Sequence, residues 1–138
     1  MGRYLAIDHG SKRIGLALSD PMKIIAKPFR TITYDNLDDF FNILFKIIKE
    51  EEVECIILGF PIGMNGQETI QTKQVLEFQK KIKLKINIPI LLQDERLSSL
   101  SAEKSLIEQK VKTGYNKSEI DKTAAAIFLQ QFLDTNRL

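Results

Sequence analysis

The sequence predicts an α/β protein with a five-stranded mixed sheet, in which an antiparallel meander is followed by two βα crossovers and helices cover both faces. Three short strand-like runs precede the first helical pattern, and two further apolar runs each follow a helical pattern. The predicted order is therefore β-β-β-α-β-α-β-α-α. Strands joined through helices lie parallel, and such crossovers are right-handed. The chain has 138 residues, 43% of them apolar, so we expect a single domain over residues 1–138.

The first three strands are predicted from two apolar runs and one alternating run. Residues 4–8 and 14–19 flank a turn that contains Gly10, a pattern typical of a β-hairpin. Residues 27–34 alternate after Pro28 and predict the third strand. The connections between these strands are short, so we expect them to pair as an antiparallel meander.

The rest of the chain alternates helices with buried strands. Apolar residues recur at helical spacing over 36–51, where Asn36 can cap the helix. The apolar runs at 53–61 and 88–96 predict strands that are buried on both faces. The other predicted elements are a helix over 68–83 whose lysine-rich end frays over 80–86, a helix over 98–111, a polar loop over 111–118 and a last helix from Ser118 or Glu119.

Composition restricts the class of protein but does not indicate an activity. The net charge is only +2, and the single cysteine, Cys55, allows no disulfide framework. Cys55 lies in an apolar run, where an inert buried thiol is expected. The longest mostly apolar stretch, residues 40–48, is far shorter than the roughly 20 residues of a membrane helix. Without a signal-peptide pattern either, the sequence predicts a cytoplasmic protein with no membrane partner.

Acidic residues end two of the predicted strands. Asp8 closes the first strand, and Asp94 and Glu95 close the last, so parallel strand ends gather these acids at one edge of the sheet. Side chains alternate along a strand, so only one of the two adjacent acids can face Asp8. Asp121 falls in the first turn of the last helix, where an anion is also favoured by the helix dipole alone. Asp94 can equally cap a helix or pair with Arg96.

Converging carboxylates repel one another unless a cation compensates them. A divalent cation with a preference for oxygen ligands, Mg²⁺ or Mn²⁺, is the expected compensation. A metal pair can also clamp the attacking and leaving oxygens of phosphoryl transfer. A metal is therefore one candidate for the group that compensates Asp8, beside a cationic side chain and a hydrogen-bond network.

Four motifs, in this order and spacing, resemble the YqgF/RuvX family over essentially the whole chain. They are IDHGSKRIGLALSD, GFPIGMNGQE, QDERLSS and DKTAAAIFLQQFL. The resemblance implies a ribonuclease H-like fold and a nuclease that matures the 5′ end of the small-subunit ribosomal RNA precursor, with Holliday-junction resolution as the alternative. Carried over by motif, Asp8, Glu95 and Asp121 are the catalytic carboxylates and the metal ligands. The fourth predicted strand ends without an acid, so Glu95 on the next strand must take that place.

Basic and aromatic residues near the acids are candidates for nucleic-acid binding. Arg13 and Arg96 flank the predicted site and can hold phosphates, although charge balance for the acids explains them as well. Lys112, Tyr115 and Lys117 crowd the loop before the last helix, a combination suited to unpaired RNA through charge and stacking. An exposed, solvated loop is the alternative. RNA is the favoured partner, and branched DNA stays open.

Two further functions fit the same sequence. One is a non-catalytic RNA-binding factor of ribosome maturation with a degenerate site. The other is an actin-like phosphotransferase, because the first motif is similar to a phosphate motif of that superfamily, although 138 residues hold only one copy of the fold. We expect a monomer, with a dimer still possible, and a turn or packing role for His9 rather than metal ligation.

Overall fold

The computed structural model describes residues 2–10, 13–60, 70–94 and 117–135, and the strands in these ranges form one five-stranded sheet. The strands are β1 (Arg3–His9), β2 (Arg13–Ser19), β3 (Ala26–Thr33), β4 (Val53–Phe60) and β5 (Ile90–Asp94), and the helices are α1 (Leu37–Glu50), α2 (Ile70–Lys85) and α3 (Lys117–Thr135). These bounds lie within two residues of the predicted ones. The predicted helix over 98–111 lies outside the described residues.

The strand order is β3-β2-β1-β4-β5, which confirms the predicted topology. β1 pairs with β2 and β2 with β3 in antiparallel fashion, whereas β1, β4 and β5 run parallel. In the first hairpin, the Gly10 N–H donates to the Arg13 carbonyl oxygen over 2.9 Å. A Cβ at position 10 would lie 2.5 Å from that oxygen, so the turn requires glycine.

Side-chain alternation divides the core between the two faces of the sheet. On one face, Leu5 and Ile7 pack with the buried sides of α1 and α2. On the other face, small residues of the sheet, Ala6 and Ala17, lie under the large side chains of α3, among them Phe128. The prediction of helices on both faces is confirmed.

The end of α2 differs from the sequence prediction. The helix continues through the lysine-rich run to Lys85 instead of fraying. Ile82 is fully buried and follows Phe78 by one turn, so it anchors this last part of the helix in the core while the lysines stay exposed.

Two other sequence predictions are confirmed. Asn36 caps α1, since its side-chain oxygen accepts a hydrogen bond from the Asp39 N–H over 2.9 Å. Cys55 is a buried free thiol, and burial, with a smaller effect of the Glu54 charge, raises its pKa. Within the described ranges, no helix has both the length and the apolarity needed to cross a bilayer.

The direction of α3 determines which residues it brings to the functional edge of the sheet. The ring of Phe132 lies 5.9 Å from that of Tyr4, near the start of β1. Close by, the Gln130 side-chain oxygen accepts from the Ala26 N–H over 2.8 Å. The C-terminal half of α3 therefore lies where β1 begins. Because an α-helix rises about 1.5 Å per residue and a strand about 3.3 Å, the first turns of α3 reach the edge where β1 ends.

Candidate functional site

Asp8 is the penultimate residue of β1 and lies on the sheet face that α3 covers. Its neighbour at i−2, Ala6, packs in the α3 core, and alternation keeps Asp8 on the same face. The residue is half-buried. Strand β1 pairs with β2 and with β4, so main-chain hydrogen bonding fixes the backbone from which the Asp8 carboxylate projects.

The neighbours of Asp8 on both adjacent strands are glycines. Gly15 of β2 is its register partner. On β4, Leu58 is the partner of Ile7, so Gly59 comes next to Asp8 one step along the register. Residues in the same register row project to the same face, and glycine projects only hydrogen. The two adjacent strands therefore place no side chain beside the Asp8 carboxylate, a feature that the sequence shows only once the register is known.

The row continues onto β5. Gly59 pairs with Gln93, so Gln93 belongs to the row of Asp8. Asp94 falls in the next row, opposite Phe60. The prediction of Glu95 rather than Asp94 as the partner of Asp8 rests on the motif. Glu95 itself lies outside the described residues.

Asp121 is the fifth residue of α3, because the helix begins at Lys117, earlier than predicted. It therefore comes just after the first turn instead of within it. Position 121 precedes the buried residues Ala125, Phe128 and Phe132 by 4, 7 and 11, a helical spacing. The backbone of α3 runs toward the edge where Asp8 lies.

Of the other predicted site residues, two lie within the described ranges and three lie outside them. Arg13 begins β2, two residues before Gly15, so it shares the face and the edge of Asp8 and is half-buried. Lys117 is the first residue of α3. Arg96, Lys112 and Tyr115 lie outside the described residues. Of the predicted residues, the described structure thus brings Asp8 and Arg13 to one place and carries the first turns of α3 toward it.

A complete metal-binding cluster is not visible in the described part of the chain. Among the side chains in that part, no group of three His, Cys, Asp or Glu residues is placed to hold a metal ion. The side chains of Glu95 and Asp121, the two ligands predicted beside Asp8, are not among those described.

His9 takes the opposite face of the sheet, as alternation predicts. Its ring packs against Phe78 of α2 with a centroid distance of 4.5 Å, which confirms the predicted packing role. The Nδ1 atom is buried and makes no hydrogen bond to any part of the chain that the structure describes. Burial lowers the pKa of His9, so the ring is neutral at pH 7.

A cavity that sequence reasoning missed opens beside His9 at this edge. Its volume is about 290 Å³, and its walls include His9, Tyr34, Gln74, Glu77, Phe78 and Lys81; we call it the His9 cavity. The spacing of Gln74, Phe78 and Lys81 along α2 indicates one helix face. The sequence shows this spacing, but it does not show how α2 is rotated relative to β1.

The chain is similar along nearly its whole length to one protein family. A family model described as "RuvX: Holliday junction resolvase" matches residues 2–135. A curated protein of Desulforamulus reducens is 45% identical over 133 residues, which are 96% of this chain and 97% of the relative. One of Dictyoglomus turgidum is 43% identical over 133 residues, which are 96% and 94% of the two chains. Both relatives bear the name "Putative pre-16S rRNA nuclease".

Solved structures of resolvases share the fold. RuvC of Thermus thermophilus in complex with a Holliday junction substrate superposes with a TM-score of 0.61 at 10% identity, over 96% of this chain and 94% of that one. The Fowlpox virus resolvase in complex with Holliday junction DNA gives a TM-score of 0.58 at 10% identity, over 96% and 97%. The mixed sheet with helices on both faces is thus a ribonuclease H-like fold, as the resemblance implied.

Proposed function

The chain belongs to the RuvX family, and on this basis we propose that it is a nuclease that hydrolyses phosphodiester bonds in the precursor of 16S ribosomal RNA. One observation carries the proposal: the nearly full-length match to relatives that bear this name. The position of Asp8 supports it, because a fixed carboxylate at the carboxyl ends of the strands is where open α/β sheets bind ligands. Since the substrate is a ribosomal RNA precursor, we propose the cytoplasm as the compartment.

Asp8, Glu95 and Asp121 are proposed as the catalytic carboxylates and as the ligands of a divalent cation, Mg²⁺ or Mn²⁺. The donor chemistry fits, because all three offer the oxygen ligands that these cations prefer. The described register of Asp8 also fits, since Gly15 and Gly59 place no side chain beside its carboxylate. When bound, the cation would stabilise charge on the phosphate oxygens and make water a better nucleophile.

In the proposed reaction, the oxygen of a water molecule attacks phosphorus while the bond to the leaving oxygen breaks. The paired strand β1 keeps Asp8 in one position, so its carboxylate needs little reorganisation as the reaction proceeds. Arg13 contributes positive charge on the same face and edge, where a phosphate would lie.

Nucleic-acid contacts are proposed for Arg13, Arg96, Lys112, Tyr115 and Lys117. The direction of α3 supports a contact at Lys117, the first residue of the helix that reaches the edge of Asp8. Replacement of Lys112 and Lys117 together with alanine is expected to weaken RNA binding and to reduce its salt dependence, because each lysine that contacts a phosphate releases counterions.

A cleavage panel tests the proposed function. Precursor 16S rRNA, single-stranded RNA and a four-way DNA junction are each incubated with Mg²⁺ and with Mn²⁺, using wild type and Asp8→Asn. We expect cleavage of the precursor by wild type and none by the variant. Preferential cleavage of the junction would replace the proposal with resolution of branched DNA. Tight RNA binding without any cleavage would replace it with a non-catalytic maturation factor, and ATP binding would favour the phosphotransferase.

A further inference from the structure

The His9 cavity lies one residue from Asp8 but on the other face of the sheet. β1 contributes His9, the turn after β3 contributes Tyr34, and one face of α2 contributes Gln74, Phe78 and Lys81. Its volume of about 290 Å³ is at the small end of ligand pockets, which span roughly 300–1,000 Å³. A ligand of that size, close to the candidate catalytic carboxylate, is smaller than an RNA strand and comparable to one nucleotide.

The walls of the cavity combine flat aromatic groups with polar groups. Phe78 stacks nearly parallel to Phe41, with an interplanar angle of 12° and a centroid distance of 6.3 Å, and also contacts His9. These contacts anchor the aromatic wall in the core. The Gln74 amide offers both a donor and an acceptor at the exposed side. Flat apolar faces with mixed hydrogen-bonding edges are the chemistry of a nucleobase.

The cavity mouth carries one acidic and one basic side chain, Glu77 and Lys81. Glu77 pairs with Lys80, at an Oε1–Nζ distance of 3.9 Å. In the ranges that the structure describes, no ion pair involves Lys81. An exposed lysine at the rim of a base-sized cavity can therefore contact the phosphate of the nucleotide whose base enters it.

We propose that the His9 cavity binds one unpaired nucleobase of the RNA next to the scissile phosphate. The inference rests on the proposed function, since it names a subsite for the same substrate. Stacking on the half-buried rings of His9 and Tyr34 supplies affinity, because Phe78, 2% exposed, only supports His9 from the core side. Gln74 contacts the edge of the base. The phosphate chain then passes over the edge of the sheet from the cavity to Asp8.

Binding of short RNA without metal tests the inference separately from cleavage. A labelled single-stranded pentanucleotide is titrated with the protein in EDTA, and then five analogues are titrated, each lacking the base at one position. We expect one position at which loss of the base weakens binding about tenfold, because stacking on aromatic residues has this magnitude. Equal affinities for all analogues, or an equal loss at every position, would overturn the inference.

Exposed variants keep the test independent of folding. Gln74→Ala is expected to remove most of the difference between intact and base-free RNA. Lys81→Ala is expected to weaken binding several-fold and to lower the salt slope by about one. The matched control is Lys83→Ala, an exposed lysine of the same helix that is not part of the cavity, and it should bind like wild type. Equal losses in the two lysine variants would contradict the proposed subsite.

Two outcomes separate the inference from its alternatives. If AMP binds as tightly as the pentanucleotide, the ligand is a free nucleotide and the inference is wrong. A protein that cleaves no substrate but still shows the position-dependent loss of affinity would contradict the proposed nuclease and support the subsite. A protein that cleaves the precursor but binds all the base-free analogues equally would support the proposed nuclease and contradict the subsite.

Discussion

Asp8 lies at the carboxyl end of β1, the end of the strands at which open α/β sheets bind ligands. It lies near the end of a paired strand, and the residues next to it in the register on the two adjacent strands are glycines. Its position at a strand end was predictable from the sequence, because an acid directly after an apolar run is visible without a structure. The two flanking glycines were not predictable as neighbours, since the register depends on the whole sheet.

Asp8→Asn is expected to abolish cleavage and to leave the melting temperature in metal-free buffer unchanged or raised. The amide keeps the shape of the side chain and removes one charge from the proposed cluster of acids. Addition of Mg²⁺ should raise the melting temperature of wild type and not of the variant, because the cation stabilises only a fold that binds it. Thermal melts with and without metal measure both effects. A variant that melts much lower without metal would make Asp8 a structural residue.

His9→Phe is expected to raise stability by about 1 kcal/mol, because it removes a buried nitrogen that lacks a hydrogen bond. The phenyl ring can keep the packing on Phe78. Since burial lowers the pKa of His9, the unfolded chain takes up a proton near pH 6.5 and the folded protein only at lower pH. The free energy of unfolding of wild type is therefore unaffected by His9 protonation above pH 6.5. It decreases as the pH falls from 6.5 toward the lower pKa of the folded state.

Denaturant unfolding at pH 7.5 and at pH 5 checks this expectation. The stability gap between His9→Phe and wild type should widen at the lower pH. Destabilisation at both values would show that the imidazole makes an interaction that packing does not replace.

The elements were predicted well from the sequence because each has a strong local signal. The hairpin has its turn glycine, α1 has the Asn36 cap and a clear apolar stripe, and β4 is a continuous apolar run. The end of α2 was predicted wrongly because its lysines conceal the single buried residue, Ile82, that holds the last turn. The His9 cavity was missed for a similar reason, since it arises between elements whose relative rotation is set by packing.

Gly15→Ala tests whether the space beside Asp8 is needed. A methyl group in the same register row is expected to lower the cleavage rate at least tenfold by crowding the carboxylate and its cation. Stability should change by no more than about 1 kcal/mol, because alanine is no worse than glycine within a strand. Cleavage rates and denaturant unfolding of the same preparation separate the two effects. Full activity in this variant would show that the glycine row serves the backbone only.

At the scale of the whole molecule, one sheet joins two cores that lie on opposite faces. The core with α1 and α2 and the core with α3 share strands β1, β2 and β4. Because neither core can form without these strands, we expect both to unfold in one cooperative transition, as a single domain would. Calorimetry measures this as equal calorimetric and van't Hoff enthalpies. Two separate transitions would contradict the predicted single domain.

The sequence predicts a monomer, and one edge of the sheet supports that expectation. β3 is an outermost strand, and its exposed residues include Lys27, Pro28 and Arg30. A charged edge strand that contains proline resists pairing with a second sheet. A monomer with one site cuts one strand per encounter, which suits trimming of a precursor RNA better than the paired cuts that resolve a four-way junction.

Light scattering coupled to gel filtration tests this prediction, with an expected mass near 15.8 kDa. If the mass is that of a dimer, we expect the interface at the connection between β2 and β3, where Met22 is 65% exposed and Ile25 53% exposed. Apolar side chains exposed this close together are typical of an interface. In that case Met22→Lys should restore the monomer, and the paired cuts of a junction resolvase would become possible for the wild-type assembly. If the protein stays monomeric at high concentration and cleaves the RNA precursor, one site per molecule is sufficient for activity.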